Sequence, residues 1–109
     1  MKPKFNNCIA LGVADRQKAA ERFVNCFDAE ITKEGGDWIE VTAGPLRLYF
    51  VEDGTKDIAF SVDVPKLVYG DMAVNLVENG FSIDSEISGR VGEHFVRDED
   101  GILLNLFPV

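Results

Sequence analysis

The chain has 109 residues, which gives room for one compact domain, because single hydrophobic cores usually span about 50 to 200 residues. Hydrophobic residues make up 46% of it and charged residues 28%, which excludes a disordered, collagen-like or disulfide-rich chain. Eleven Lys and Arg against nineteen Asp and Glu give a net charge of −8, so we expect neither nucleic acid nor an anionic membrane as a partner.

The N-terminal sequence and the cysteines predict a cytoplasmic location. No apolar run near the N-terminus is long enough for the hydrophobic region of a signal peptide, and none elsewhere approaches the roughly 20 residues of a membrane span. Cys8 and Cys26 form no metal-finger or redox spacing. Both are therefore interpreted as reduced thiols.

The first half of the chain predicts the element order β-α-β-β-β. Ile9, Leu11 and Val13 alternate with small residues, which is typical of a strand with one buried face. Asp15 is a candidate N-cap for the amphipathic helix that follows. The predicted elements are a strand over 5–13, a helix over 16–26, and strands over 29–32, 38–42 and 46–51.

The second half repeats this order. The predicted elements are a strand over 58–62, a helical segment after Pro65 with Asp71 as an alternative start and Gly80 as its C-cap, and strands over 81–87, 91–97 and 102–107. The run 9–13 matches the run 58–62 in residue type, which indicates an internal duplication. We therefore predict a single domain over 1–109, with one module at about 5–52 and the other at about 57–109.

The two faces of the predicted strands differ in kind. One face is apolar and is predicted to pack on the helices. Its residues are Ile9, Leu11, Val13, Ile39, Val41, Leu46, Leu48, Phe50, Ile58, Phe60, Val62, Ile102, Leu104 and Leu106. The opposite face mixes small, aromatic and isolated polar residues, which favours a concave ligand surface. The candidate binding residues there are Cys8, Trp38, Glu40, Arg47, Tyr49, Asp57, Ser61, Asn105 and Phe107. A dimer interface or a second packing surface is the alternative interpretation of this face.

Two motifs carry a resemblance to a known family. Val13-Ala14-Asp15 precedes the first helix, and the turn Asp98-Glu99-Asp100-Gly101 precedes the last strand. With the two β-α-β-β-β modules, the chain resembles the vicinal oxygen chelate superfamily, which includes glyoxalase I, bleomycin-resistance proteins and extradiol dioxygenases. The resemblance implies an α+β fold in which two tandem βαβββ modules form a U-shaped mixed sheet around a cavity, with the helices on the outer face. It also implies a homodimer.

The metal ligands of that family are not retained in this sequence. Its metal-dependent members use His, Glu or Gln on four strands, and the matching positions here are Cys8, Tyr49, Asp57 and Asn105. Neutral Tyr and Asn are poor donors for a divalent metal, so no cofactor is predicted and no metal-ligand role is assigned. His94, the only histidine, is expected to be structural or exposed, and Cys8 to be a small packing residue.

The remaining cavity residues combine aromatic rings with carboxylates. An aromatic side chain such as Trp38, next to a carboxylate of Glu40, Asp57 or Glu93, favours a flat or cationic ligand. The sequence therefore predicts a small-molecule-binding protein and assigns no catalytic residue. One alternative is a lyase, isomerase or dioxygenase with an atypical metal set or a carboxylate base, either Asp57 or Glu40. The other is a protein that acts through protein contacts and whose cavity is vestigial.

Overall fold

The structure, a computed structural model, describes residues 2–83 and 94–109. The elements in chain order are β1 (Lys4–Gly12), α1 (Arg16–Cys26), β2 (Glu30–Glu34), β3 (Trp38–Ala43), β4 (Leu46–Val51), β5 (Ile58–Val64), a 3-10 turn (Lys66–Val68), α2 (Tyr69–Glu78), β6 (Ser82–Ile83), β7 (His94–Arg97) and β8 (Leu103–Pro108). The described residues thus form mixed β-sheet and two α-helices, which confirms the predicted α+β class. Within these ranges, no helix combines the length and apolar character needed to cross a membrane.

The chain divides into two compact units, and the N-terminal unit comprises Asn7–Ile58. Its strands are arranged in the order β2-β3-β4-β1, with β1 parallel to β4 and the other neighbours antiparallel. The predicted N-cap is confirmed, because Asp15 Oδ1 accepts a hydrogen bond of 3.0 Å from the backbone N–H of Lys18.

The core of the N-terminal unit lies between α1 and one face of its sheet. Ala19 and Ala20 of α1 are buried, and their small side chains let the helix approach the strands closely. The sheet contributes Ile39, Val41, Leu48 and Phe50. This is the face that the alternation of apolar residues predicts for β3 and β4.

The C-terminal unit comprises Ala59–Val109 together with the beginning of the chain as far as Asn6. Its strands have the order β5-β8-β7-β6, and β5 is parallel to β8. The buried core consists of Val62, Val64, Val96, Leu104 and Leu106. Tyr69, Met72 and Leu76 of α2 pack against it. The duplication of one module into the other stays a prediction, as does the single-domain organisation.

The predicted apolar face of the second half is wrong at its beginning. Ile58 is 58% exposed, Phe60 43% and Ile102 49%. β5 instead continues beyond the predicted end of the strand to Val64, which is fully buried. The apolar contacts of this strand therefore lie further along it than the sequence pattern indicates.

Strand register explains this difference. Tyr49 lies opposite Ala10 in the first parallel pair, whereas Asn105 lies opposite Ser61 in the second. When the run 46–50 is aligned with the run 102–106, Tyr49 corresponds to Asn105. Ala10 then corresponds to Ser61, whereas the match of 9–13 with 58–62 pairs Ala10 with Ala59, two residues earlier. With this offset Val62 and Val64 take the places of Leu11 and Val13.

The helix α2 ends one residue earlier than the predicted C-cap at Gly80 requires, because Asn79 is its C-cap. The helix begins at Tyr69, after the 3-10 turn that follows Pro65, and before the alternative start at Asp71. Gly80 follows the helix with a φ of 97°, a left-handed conformation that glycine adopts without strain. Of the predicted strands 81–87 and 91–97, Ser82–Ile83 and His94–Arg97 are strands, and residues 84–93 lie outside the described residues.

Candidate functional site

An aromatic and acidic cluster lies in the N-terminal unit on the sheet face opposite α1. Glu40 of β3 and Tyr49 of β4 are direct cross-strand partners. The ring of Trp38, two residues before Glu40 on β3, lies 5.5 Å from the ring of Tyr49, measured between centroids. We call Trp38, Glu40 and Tyr49 the aromatic–acid cluster. Because side chains two residues apart on a strand share a face, the alternation in the sequence predicts this grouping correctly.

Glu40 is the buried charge of the cluster. Its side chain is 3% exposed, and its Oε1 accepts a 2.6 Å hydrogen bond from the hydroxyl of Thr32. Its Oε2 accepts a short hydrogen bond from the phenol of Tyr49. The hydrogen bonds from Thr32 and then Tyr49 lower the pKa of Glu40 and outweigh the effect of burial, with smaller contributions from the positive charges of Lys33 and Arg47. Glu40 is therefore ionised at neutral pH.

Tyr49 is the complementary donor. Its burial, together with the hydrogen bond to Glu40 and the negative charge of that carboxylate, raises its pKa to about 12. The phenol therefore keeps its proton at neutral pH. A carboxylate whose pKa is lowered is a weak base, and a phenol whose pKa is raised is a weak acid. The pair supplies a fixed negative charge rather than a group that exchanges protons near pH 7.

Trp38 is held in place by the turn before β3. A Cβ on Gly35 would overlap the indole ring of Trp38, so the ring packs directly on the Gly35 backbone. The N–H of Gly35 also donates a hydrogen bond of 2.9 Å to the backbone carbonyl of Trp38. The position of the indole ring thus depends on the absence of a side chain at Gly35.

We expect Gly35→Ala to displace the indole ring and to shift the fluorescence emission of Trp38, the single tryptophan of the chain. Gly36→Ala is the matched control, because a Cβ at Gly36 meets no atom within 4 Å. Emission spectra of the folded variants compare the two changes. Equal spectra for Gly35→Ala and the unmodified protein would contradict the packing of the ring on Gly35.

A second group of polar side chains continues the same face toward β1. Arg47 lies opposite Cys8 in the parallel pair, and its Nε donates a 3.0 Å hydrogen bond to Oδ1 of Asn7. Cys8 is half-buried, and its Sγ lies 3.9 Å from the same oxygen. Within residues 2–83 and 94–109, Arg47 is therefore oriented by an amide rather than by an ion pair with one of the acids.

Thr32 and Asn7 are parts of this face that the sequence did not indicate. β2 contains a bulge between Ile31 and Lys33, because these residues lie opposite the consecutive residues Val41 and Glu40. Thr32 is the extra residue of the bulge, and a bulge redirects a side chain. Its hydroxyl reaches Glu40 as well as Thr42, whose Oγ1 is 3.0 Å away. Alternation alone gives no signal for a bulge.

The other predicted site residues occupy separate positions. Ser61 and Asn105 are buried cross-strand partners in the C-terminal unit, and Phe107 is half-buried on β8. Asn105 Oδ1 has no hydrogen-bond partner in the part of the chain that the structure describes. Asp57 precedes β5, and its backbone carbonyl accepts a 2.9 Å hydrogen bond from the N–H of Gly12.

Two further residues named from the sequence are His94 and Glu93. His94 is in β7, as predicted. Glu93 lies outside the described residues.

The residues assigned from the sequence to the four family positions do not fit a metal centre. The offset of two residues places Ala59, which offers no donor atom, rather than Asp57 at the position that corresponds to Cys8. Tyr49 keeps its proton at neutral pH and donates a hydrogen bond to Glu40, which makes it a poor metal ligand. Asn105 is neutral. Across residues 2–83 and 94–109, no group of three or more His, Cys, Asp or Glu side chains is arranged to hold a metal ion. We therefore derive no chemistry through a metal.

Comparison with solved structures identifies the fold. One glyoxalase/bleomycin resistance protein/dioxygenase superfamily member, from Vibrio splendidus 12B01, matches with a TM-score of 0.61 at 16% identity, over 96% of this chain and 96% of that one. The chain has the vicinal oxygen chelate fold. A structure described as NAD-dependent benzaldehyde dehydrogenase from Legionella pneumophila matches with a TM-score of 0.70 at 16% identity, over 94% of this chain and 97% of that one.

A third matching structure has a different named activity. Methylmalonyl-CoA epimerase from Mycobacterium tuberculosis gives a TM-score of 0.62 at 16% identity, over 96% of this chain and 88% of that one. The activities named for these structures differ, so the likeness in fold carries no reaction over to this chain. No protein-family model matches the sequence, and no curated protein matches it.

Proposed function

We propose that the chain is a small-molecule-binding protein whose aromatic–acid cluster receives a cationic or aromatic ligand. The observation that carries this proposal is the ionised, buried carboxylate of Glu40 beside the rings of Trp38 and Tyr49. A cation over an aromatic face gains about 0.5 to 2 kcal/mol, and more when water is excluded. A fixed carboxylate next to that face adds attraction for the same charge.

The surrounding charges support this choice of ligand. The net charge of −8 attracts cations to the protein as a whole. Arg47 shares the sheet face and works against a cation, but its Nε is engaged with Asn7. The cluster itself therefore carries a negative charge at a position where a flat ring can also stack on Trp38.

The pKa directions favour binding over acid–base catalysis by the same residues. A general base that acts near pH 7 is most effective when its pKa lies near that pH. The pKa of Glu40 is instead lowered and that of Tyr49 is raised to about 12. Both shifts hold each group in one protonation state. We also propose that the protein binds its ligand as a homodimer, which native mass spectrometry can test together with any retained molecule.

A fluorescence titration with benzyltrimethylammonium tests the proposal, because Trp38 is the single tryptophan and reports directly on the cluster. We expect a saturable change in Trp38 emission and several-fold weaker binding of benzyl alcohol, which has the ring without the charge. Glu40→Gln should weaken the binding of the cation at least fivefold, because it removes the charge and keeps the size of the side chain.

The control for Glu40→Gln is Glu21→Gln. Glu21 is exposed on α1 and accepts a 3.0 Å hydrogen bond from Gln17, so this change removes the same formal charge at a distance from the cluster. Its affinity should equal that of the unmodified protein. Circular dichroism establishes that both variants are folded. Equal affinities of Glu40→Gln and Glu21→Gln, or an emission that does not respond to the cation, would contradict the proposal.

A further inference from the structure

A cleft of about 230 Å³ lies in the N-terminal unit on the α1 side of the sheet. The lining includes Leu11 and Phe50, which belong to the core that packs on α1. The cleft is therefore on the opposite side of the sheet from the aromatic–acid cluster. Its walls are apolar and consist of Leu11, Val13, Ala19, Phe23, Phe50 and Ile58. The cleft is thus separate from the site of the proposed function.

Gly12 and three charged residues, Arg22, Lys56 and Asp57, complete the lining of this cleft. Two positive charges against one negative charge give a local excess of one positive charge on a chain whose net charge is −8. Arg22 and Lys56 are exposed, and neither forms an ion pair with another residue in the described ranges. Arg22 belongs to α1 and Lys56 to the segment before β5, so two elements bring their charges to one cleft.

The location of Lys56 is well defined by its backbone. It has a φ of 61°, which is rare for a residue with a side chain. The hydroxyl of Thr55 accepts a 3.2 Å hydrogen bond from the N–H of Asp57, and Asp53 Oδ1 accepts hydrogen bonds from both the N–H and the hydroxyl of Thr55. This loop packs on Gly12, where a Cβ would overlap the Asp53 and Thr55 side chains. The loop therefore carries Lys56 at a set position beside the cleft.

We propose that this cleft binds a small organic monoanion, a carboxylate with an apolar body. The apolar body would contact Leu11, Phe23 and Ile58, and the carboxylate would lie between Arg22 and Lys56. Sites for drug-sized ligands span about 300 to 1,000 Å³, so a cleft of about 230 Å³ suits a ligand with a single ring or a short chain. Asp57 disfavours a second negative charge on that ligand, which selects for a monoanion.

The test is a titration of the ¹⁵N-labelled full chain with benzoate, followed by NMR. We expect saturable shifts of the amides around Leu11, Phe23 and Lys56, with a Kd on the order of millimolar for so small a ligand. Benzyl alcohol, the uncharged counterpart, should bind at least threefold more weakly. The indole N–H of Trp38 should not shift with benzoate, which separates this site from the aromatic–acid cluster.

Matched variants test the two cations. Arg22→Gln and Lys56→Gln should each weaken benzoate binding at least threefold, and Asp57→Asn should strengthen it. Lys18→Gln, which removes an exposed charge of α1 outside the cleft lining, should leave the affinity unchanged.

Shifts that do not saturate, equal binding of benzyl alcohol, or an equal loss in Lys18→Gln would overturn the proposal. Shifts that centre on Trp38 would also overturn it. Because the probe and the responding residues differ from those of the cation titration, failure here leaves the proposed function standing, and failure of the cation titration leaves this site standing.

Discussion

Phe50→Ala is expected to lower the free energy of unfolding by about 3 to 5 kcal/mol, because it removes a large side chain from the center of a closely packed core. Phe50 is 1% exposed, and its ring contacts the ring of Phe23 at a centroid distance of 5.0 Å. The loss is a large part of a typical total stability of about 5 to 15 kcal/mol. Urea denaturation followed by circular dichroism measures it.

Phe60→Ala is the matched control, since it makes the same change on a strand of the second half. Phe60 is 43% exposed, so we expect it to lower the free energy of unfolding by about 1 kcal/mol or less. The comparison also tests the register of β5. A loss at Phe60 equal to that at Phe50 would support the apolar face read from the sequence and contradict the offset of two residues.

Tyr49→Phe is expected to lower the free energy of unfolding by about 1 to 3 kcal/mol at pH 7. The change leaves Oε2 of Glu40, a buried and ionised acceptor, without the phenol that donates to it. In a Glu40→Gln background the same change should have a smaller effect, because the acceptor is then neutral. Chemical denaturation of the four proteins gives the coupling between the two residues.

The pH dependence of this effect follows from the two pKa shifts. The pKa of Glu40 is lowered on folding from 4.5, so its stabilising contribution is present above that pH and is lost as the pH falls through the folded pKa. The pKa of Tyr49 is raised from 10.0 to about 12, so its contribution is present below pH 10 and is lost as the pH rises toward 12.

The difference in stability between the unmodified protein and Tyr49→Phe should therefore be largest between these limits and decrease on both sides. Denaturation curves at a series of pH values measure the difference. A difference that is constant from acid to alkaline pH would show that the hydrogen bond to Glu40 does not carry the effect.

Much of the fold follows from local patterns in the sequence. The helix over 16–26 and the strand over 46–51 have the predicted ends, because a side-chain cap at Asp15 and turns containing glycine determine them locally. The shared face of Trp38, Glu40 and Tyr49 also follows from alternation, since side chains two residues apart lie on the same side of a strand.

The candidate site was predictable in part for the same reason. Alternation groups the residues of one face, but it does not give the hydrogen bonds between strands that are paired in space. The contact of Thr32 with Glu40 requires the bulge in β2 and the neighbouring position of β3. The cleft beside Arg22 and Lys56 requires the loop before β5 to approach α1, which no periodicity encodes.

The sequence by itself determined the order of the elements, the faces of the first-half strands and the acidic net charge. Only the tertiary structure decided which residues of β5 pair with β8 and which are therefore buried. The physical reason is the period of the strand. A slip of one residue exchanges the two faces, whereas a slip of two residues keeps every side chain on its own face. A shift of two residues leaves Phe60, Val62 and Val64 on the same face of the sheet, so the apolar pattern does not distinguish the two registers. Only the contacts made by the folded chain select one of them.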